Sequence, residues 1–173
     1  MELITECDID LFAENLPTME EIAQLSDWIH SSEASQISFN EQIEENISRT
    51  GRKATLATGI GLFILARYNE AAQKLEKAQD CKEKYIYLAY TLRASSQFDK
   101  AIENLQKSLD YEAEDIAVNL EKAATQRYAH NFDKAAKTLK KLANYENVSA
   151  EYHYQLARLD EAQGLYEQAI ENY

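Results

Sequence analysis

Proline occurs once, at Pro17, and glycine four times in 173 residues. Those two residues punctuate tight turns, so a fold of many short strands is disfavoured. The two cysteines, Cys7 and Cys81, are far apart and lack CxxC spacing. That pattern reads as free thiols in a reducing compartment, not a disulfide framework. The N-terminus, MELITECDIDLF, has neither a basic region nor a long apolar run, so no secretion signal is expected there. The longest uncharged run, Ala54 to Ala66, is 13 residues. It is too short to span a bilayer and fits a buried helix. We therefore expect a cytoplasmic chain with no membrane span.

Basic residues are scarce where they would matter for nucleic acid. Residues 1–50 hold twelve acids and one base, Arg49, whereas residues 51–173 hold 18 acids and 17 bases. Nearly all of the formal charge of −12 lies in the first 50 residues. No dominant basic face exists for nucleic acid or an anionic membrane. Reactive constellations are also missing. His30, His130 and His153 are isolated, and none has a second His or Cys at i+3 or i+4. Gly59-Ile60-Gly61 follows a helical stretch and lacks the Lys-Ser/Thr pair of a phosphate loop. Paired acids such as Glu20-Glu21 and Glu44-Glu45 read as solvated helix faces. The chain is expected to be non-enzymatic, with no cofactor and no metal.

What is abundant favours helix: Ala, Glu, Lys and Leu, with eleven tyrosines. Residues 1–16 give weak signals, either a short helix near Asp10 to Asn15 or a loose arm. Thr18-Met19-Glu20-Glu21 has capping-box form, and Met19, Ile22, Leu25, Trp28 and Ile29 follow at helical spacing. That helix should end near Ser31 and Ser32. Ser38-Phe39-Asn40-Glu41 predicts a second capped start, with Phe39, Ile43 and Ile47 on one face and a stop at Thr50-Gly51.

From Arg52 a pattern recurs. An aromatic, two polar residues and an alanine appear at Tyr68–Ala71, Phe98–Ala101, Phe132–Ala135 and Tyr166–Ala169. The alanines are 30, 34 and 34 residues apart. Leu75, Leu105, Leu139 and Tyr173 lie four residues after them, and Gly59, Ala89, Ala123 and Ala157 lie twelve before. Small residues at matched heights let two antiparallel helices approach closely. The spacing predicts helix pairs over 52–81, 82–115, 116–149 and 150–173, the last incomplete. The first unit is four residues short, so its second helix or its exit near Asp80-Cys81 must be clipped. Asn119, Lys122 and Gln126, and later Asp160, stand where apolar residues are expected.

This 34-residue helix–turn–helix pattern resembles the tetratricopeptide repeat (TPR) family. The chain lacks the family's proline after the second helix; Ala113 and Asn147 stand there. The resemblance implies an all-α, right-handed superhelical stack of antiparallel helix pairs, with residues 1–51 as an acidic helical segment capping it. Apolar residues of the first pair, Leu56, Ile60, Phe63 and Ile64, would need such cover. The family binds peptides or helices along a concave groove lined by the first helices. Mapped onto this chain, that groove holds Leu56, Ile60 and Phe63, then Ile86, Tyr87, Tyr90 and Arg93, then Leu120, Glu121, Arg127 and Tyr128, then Tyr154, Gln155, Arg158 and Glu161. Arg beside Tyr is the composition of binding hot spots. The competing reading pairs Arg93 and Arg127 with neighbouring acids. The Lys and Asn with which one TPR subclass grips a chaperone's terminal carboxylate are replaced by Leu56, Ile60 and Tyr87.

The expected function is a non-catalytic protein–protein interaction scaffold or adaptor, forming the N-terminal part of a longer protein. Its partner would be a protein or peptide. Two other readings are a small acidic secretion-type TPR chaperone of bacteria and the docking or regulatory region of an enzyme with its catalytic domain downstream. The last helix should expose Leu159, Leu165 and Ile170, a surface on which two copies could pair into a homodimer.

Overall fold

The computed structural model describes residues 7–145 and 149–173, apart from the side chain of Tyr145. Asn147 lies outside the described residues. Among them the chain is all-α, with ten α-helices. These are α1 (Met19–His30), α2 (Glu33–Asn46), α3 (Arg52–Ile64), α4 (Tyr68–Lys77), α5 (Lys82–Ala94), α6 (Phe98–Ser108), α7 (Asp115–Tyr128), α8 (Phe132–Lys140), α9 (Ala150–Ala162) and α10 (Tyr166–Asn172). Two compact units divide the chain, Met1–Gln79 and Asp80–Tyr173. The first helix pair thus belongs with the acidic segment.

In the first unit, α1 begins as its sequence requires. The Thr18 hydroxyl accepts from the Glu21 N–H at 3.2 Å, and Glu21 accepts from the Thr18 N–H at 2.7 Å. This hydrogen bonding holds the Glu21 carboxyl below the usual carboxylate range. Ser31 ends the helix, with its N–H on the Trp28 carbonyl. The second capped start is not at Ser38. Ser32 lies nearer to α1 and accepts from the Ser35 N–H at 3.1 Å, so α2 begins at Glu33 and runs through Ser38. A hydroxyl in the only gap between two helices meets free N–H groups first. Phe39 and Ile43 are still buried, because i, i+4 spacing is independent of where the helix starts. Nor does Thr50-Gly51 stop α2, which ends at Asn46; Gly51 is the N-cap of α3. Asp10 to Asn15 forms a turn rather than a helix or a loose arm. The Asp10 carboxylate accepts from the Phe12 N–H at 2.8 Å, and Leu11 is fully buried.

Two glycines of α3 set the packing of this unit. A Cβ on Gly59 would lie 2.7 Å from the Leu75 side chain and 3.3 Å from its backbone nitrogen. A Cβ on Gly61 would lie 2.2 Å from Ile43 Cδ1 and 3.4 Å from Leu11 Cδ2. Gly59 therefore admits α4, and Gly61 admits α2. Cations secure the acidic helices. Arg67 forks onto Glu70 at 2.6 and 2.8 Å and also pairs with Glu44 of α2. Lys74 donates to the Ile47 carbonyl.

Each helix pair turns by the same device. Ala66, Ser96, His130 and Gly164 all adopt left-handed backbone, with φ of 57°, 59°, 57° and 77°. The residue after each donates its N–H five residues back: Arg67 to Leu62, Gln97 to Leu92, Asn131 to Gln126 and Leu165 to Asp160, at 2.8–2.9 Å. Helix carbonyls left open at the first helix's end are thereby satisfied. The next helix starts immediately, with Tyr68, Phe98, Phe132 or Tyr166 as its first residue.

In the second unit three pairs stack in order, with α6 against α7 and both α7 and α8 against α9. The small anchors are buried: Ala89 with Ala101, Ala123 with Ala135, and Ala157 with Ala169. The register of α7 and α9 holds despite their polar residues. Gln126 is buried and accepts from the Thr138 hydroxyl of α8 at 2.8 Å. At the equivalent place Asp160 accepts from Asn172 of α10 at 2.9 Å. The shortness of the first repeat is in its exit. Between α4 and α5 lie only Ala78 to Cys81, whereas α6 is followed by a 3-10 turn at Leu109–Tyr111 and a left-handed Glu112 before α7.

The repeated turn makes a signed prediction. Ala66→Gly and Ser96→Gly should each raise the unfolding free energy by about 0.5–1 kcal/mol, because they relieve left-handed strain. Gly164→Ala should lower it by about 1 kcal/mol. Urea unfolding monitored by helical circular dichroism reads both signs.

Candidate functional site

The polar and aromatic residues predicted to face a groove lie on α5, α7 and α9. Burial sorts them into three groups. Tyr87 and Leu120 are only 4% and 5% exposed, so they are core residues and correct the expectation that they would meet a partner. Leu120 reaches the floor of a cleft of about 230 Å³ lined also by Tyr90, Ile116, Glu121 and Glu151. Ile86, Tyr90, Arg93, Arg127 and Arg158 are half-buried. Tyr128 and Tyr154 are exposed, at 51% and 45%. These are the two site tyrosines with free ring surface.

Arg93 is engaged within the chain. Its Nη1 lies 2.6 Å from Glu121 Oε2, and the other Glu121 oxygen accepts from the Tyr90 hydroxyl at 3.0 Å. The guanidinium also sits 5.0 Å from the Tyr90 ring and 5.5 Å from the Tyr128 ring. A cation, a carboxylate and two rings thus bridge α5 to α7. Burial, and next the Glu121 charge, push the Tyr90 hydroxyl well above its ordinary range, so it stays a neutral donor. For Arg93 the pairing reading holds, with Glu121 as the acid.

Arg127 differs. Its guanidinium lies 4.7 Å from the Tyr128 ring, and its Nε is buried without an acceptor among the described residues. Gln155 on α9 is likewise buried, and its Oε1 finds no donor, while its amide donates to Glu151 at 2.8 Å. Arg158 pairs with Glu161 at 3.2 Å and is held above its ordinary value, chiefly by a hydrogen bond to Tyr173. The Tyr173 hydroxyl also donates to Glu161 at 3.2 Å, and its ring lies 6.2 Å from that of Tyr154.

The last helix leaves Leu165, Tyr166, Ile170 and Tyr173 exposed. Leu159 does not join them; at 4% exposure it packs in the core with Leu120, Ala135 and Leu139. The histidines stand apart. His30 Nδ1 contacts the Ser26 carbonyl at 2.7 Å, His130 occupies a left-handed turn, and His153 stacks edge-on with Tyr152. Among the described residues no group of three or more His, Cys, Asp or Glu could hold a metal ion. No helix among them is long and apolar enough to cross a membrane. Thr125, 3.5 Å from Arg93 and buried on α7, joins the cluster without having been singled out; its hydroxyl gives no periodic signal.

No family model matches the chain, and no curated protein is significantly similar to it.

A half-buried pair such as Arg93–Glu121 should couple measurably. In a double-mutant cycle of Arg93→Met and Glu121→Gln, the interaction term should be about 1 kcal/mol. Arg127→Met, which breaks no ion pair, should cost less than Arg93→Met. Equal costs in urea unfolding would contradict this assignment.

Proposed function

We propose that the chain is a non-catalytic protein-interaction module of TPR type, and that α5, α7 and α9 present the face that holds a partner polypeptide. The observation that carries this reading is the exposure of Tyr128 and Tyr154 beside half-buried arginines. A large amphipathic ring left in water loses the stabilisation its burial would give, about 1.5–3 kcal/mol for a large side chain. A partner that covers those rings recovers part of it. The four recurring helix pairs, with small residues at the crossing points, support the likeness to the TPR family.

The face predicts where a partner is met. Benzoylphenylalanine placed at Tyr128 or Tyr154 should give light-dependent adducts in cell extract, whereas the same probe at Lys140, exposed on α8, should give none. Tyr128→Ala with Tyr154→Ala should leave the helical signal intact and abolish co-purification of the crosslinked protein. Adducts at Lys140 equal to those at Tyr128 would place binding elsewhere.

A further inference from the structure

The second unit contains the same polar junction twice, and it is complete only once. Successive pairs are related by 34 residues, as the turn residues Ser96, His130 and Gly164 show. One step takes Arg93 to Arg127 and Glu121 to Gln155. At the first junction a carboxylate answers the guanidinium, Arg93 to Glu121 at 2.6 Å. At the second, a neutral amide stands where the carboxylate should be. It does not substitute for it: Gln155, 7% exposed, leaves its Oε1 without a donor, and Arg127 leaves its Nε without an acceptor. Both of these atoms are buried, although Arg127 as a whole is half-buried, so water does not make up the loss at either atom.

The other charges of this face do not compensate. Glu121 is taken by Arg93 and Tyr90, Glu151 accepts from Gln155, and Glu161 is shared by Arg158 and Tyr173. Arg127 is therefore the arginine of the α5–α7–α9 face with no carboxylate among the described residues. It stacks on Tyr128, which is half exposed, with the exposed Tyr154 on the following first helix.

We propose that Arg127 is a vacant carboxylate receptor that takes an aspartate or glutamate side chain of the bound polypeptide, in the role Glu121 plays for Arg93. Tyr128 and Tyr154 then receive apolar or aromatic residues flanking that acid. The partner is an acidic segment interleaved with large apolar side chains. This rests on the polypeptide-binding reading of the face and adds the charge of the partner to it.

The test uses the full chain with its arginine Nε–H groups followed by nuclear magnetic resonance. The probes are a capped heptapeptide alternating glutamate with phenylalanine, and its glutamine counterpart. The glutamate peptide should shift the Arg127 Nε–H saturably and leave that of Arg93 in place. The glutamine peptide should bind about tenfold more weakly or worse, the loss of one charge-assisted hydrogen bond. Gln155→Glu supplies the carboxylate internally. It should shift the Arg127 Nε–H without peptide and weaken the glutamate peptide about tenfold; the lost hydrogen bond to Glu151 sets a stability cost against the new ion pair. An Arg127 resonance unmoved by the glutamate peptide overturns the proposal, whatever Gln155→Glu does. Equal affinity for the two peptides also overturns it but leaves the binding face standing. Adducts at Lys140 instead of Tyr128 would overturn the binding face and, with it, the receptor that rests on it.

Discussion

The four repeated helix pairs depend on one backbone device, the left-handed residue that reverses each of them. It closes a hydrogen bond five residues back and starts the next helix at once. With no slack in the connection, the heights of the two helices are locked. A small residue on the first helix and another twelve positions later on the second are then both buried, and Leu75, Leu105 or Leu139 follows into the core. In three of the four turns the left-handed residue is not glycine but Ala66, Ser96 or His130. Each costs about 1–2 kcal/mol. One buried leucine per pair returns about 1.5–3 kcal/mol. The strain is tolerated because the packing that it permits outweighs it.

The helix pairs were legible because their signal is spatial repetition. Aromatic, small and leucine positions at fixed offsets survive local substitutions. What escaped the sequence was decided by competition or by contact. Ser32 and Ser38 are both acceptable caps, and no pattern says which is nearer to the preceding helix end. Gln126 and Asp160 looked like breaks in register. Each is answered twelve residues later by a polar side chain, Thr138 or Asn172. A buried polar atom is costly only when unpaired. The exception and its remedy lie on different helices, and a reading of one helix at a time sees only the exception. The clipped exit of the first repeat was legible in length, since four missing residues must be lost somewhere, and the second helix keeps its ten residues.

The candidate face was legible in place and not in state. The resemblance to the TPR family placed Tyr87, Tyr90 and Arg93 on the groove side of α5, yet one is buried, one is a hydroxyl donor within the chain and one is an ion-pair member. A helix face about 100° wide has a centre and two edges. Residues at an edge are covered by the neighbouring helix, and a single sequence does not show how far that helix leans.

Repetition also explains why equivalent residues need not be equivalent in chemistry. Arg93 and Arg127 share a height and a residue type, and by spacing alone they would be assigned one role. On the next first helix Arg93 meets Glu121, whereas the equivalent place for Arg127 holds Gln155, and Tyr90 is replaced by Ala124. That exchange changes a half-buried guanidinium from paired to unpaired, and an unmade charge-assisted bond is worth roughly 1.5–3 kcal/mol. A helix-pair array repeats backbone geometry closely because the turn enforces it. Nothing enforces the side chains between adjacent first helices, so function can be written into one junction while the other holds the stack together.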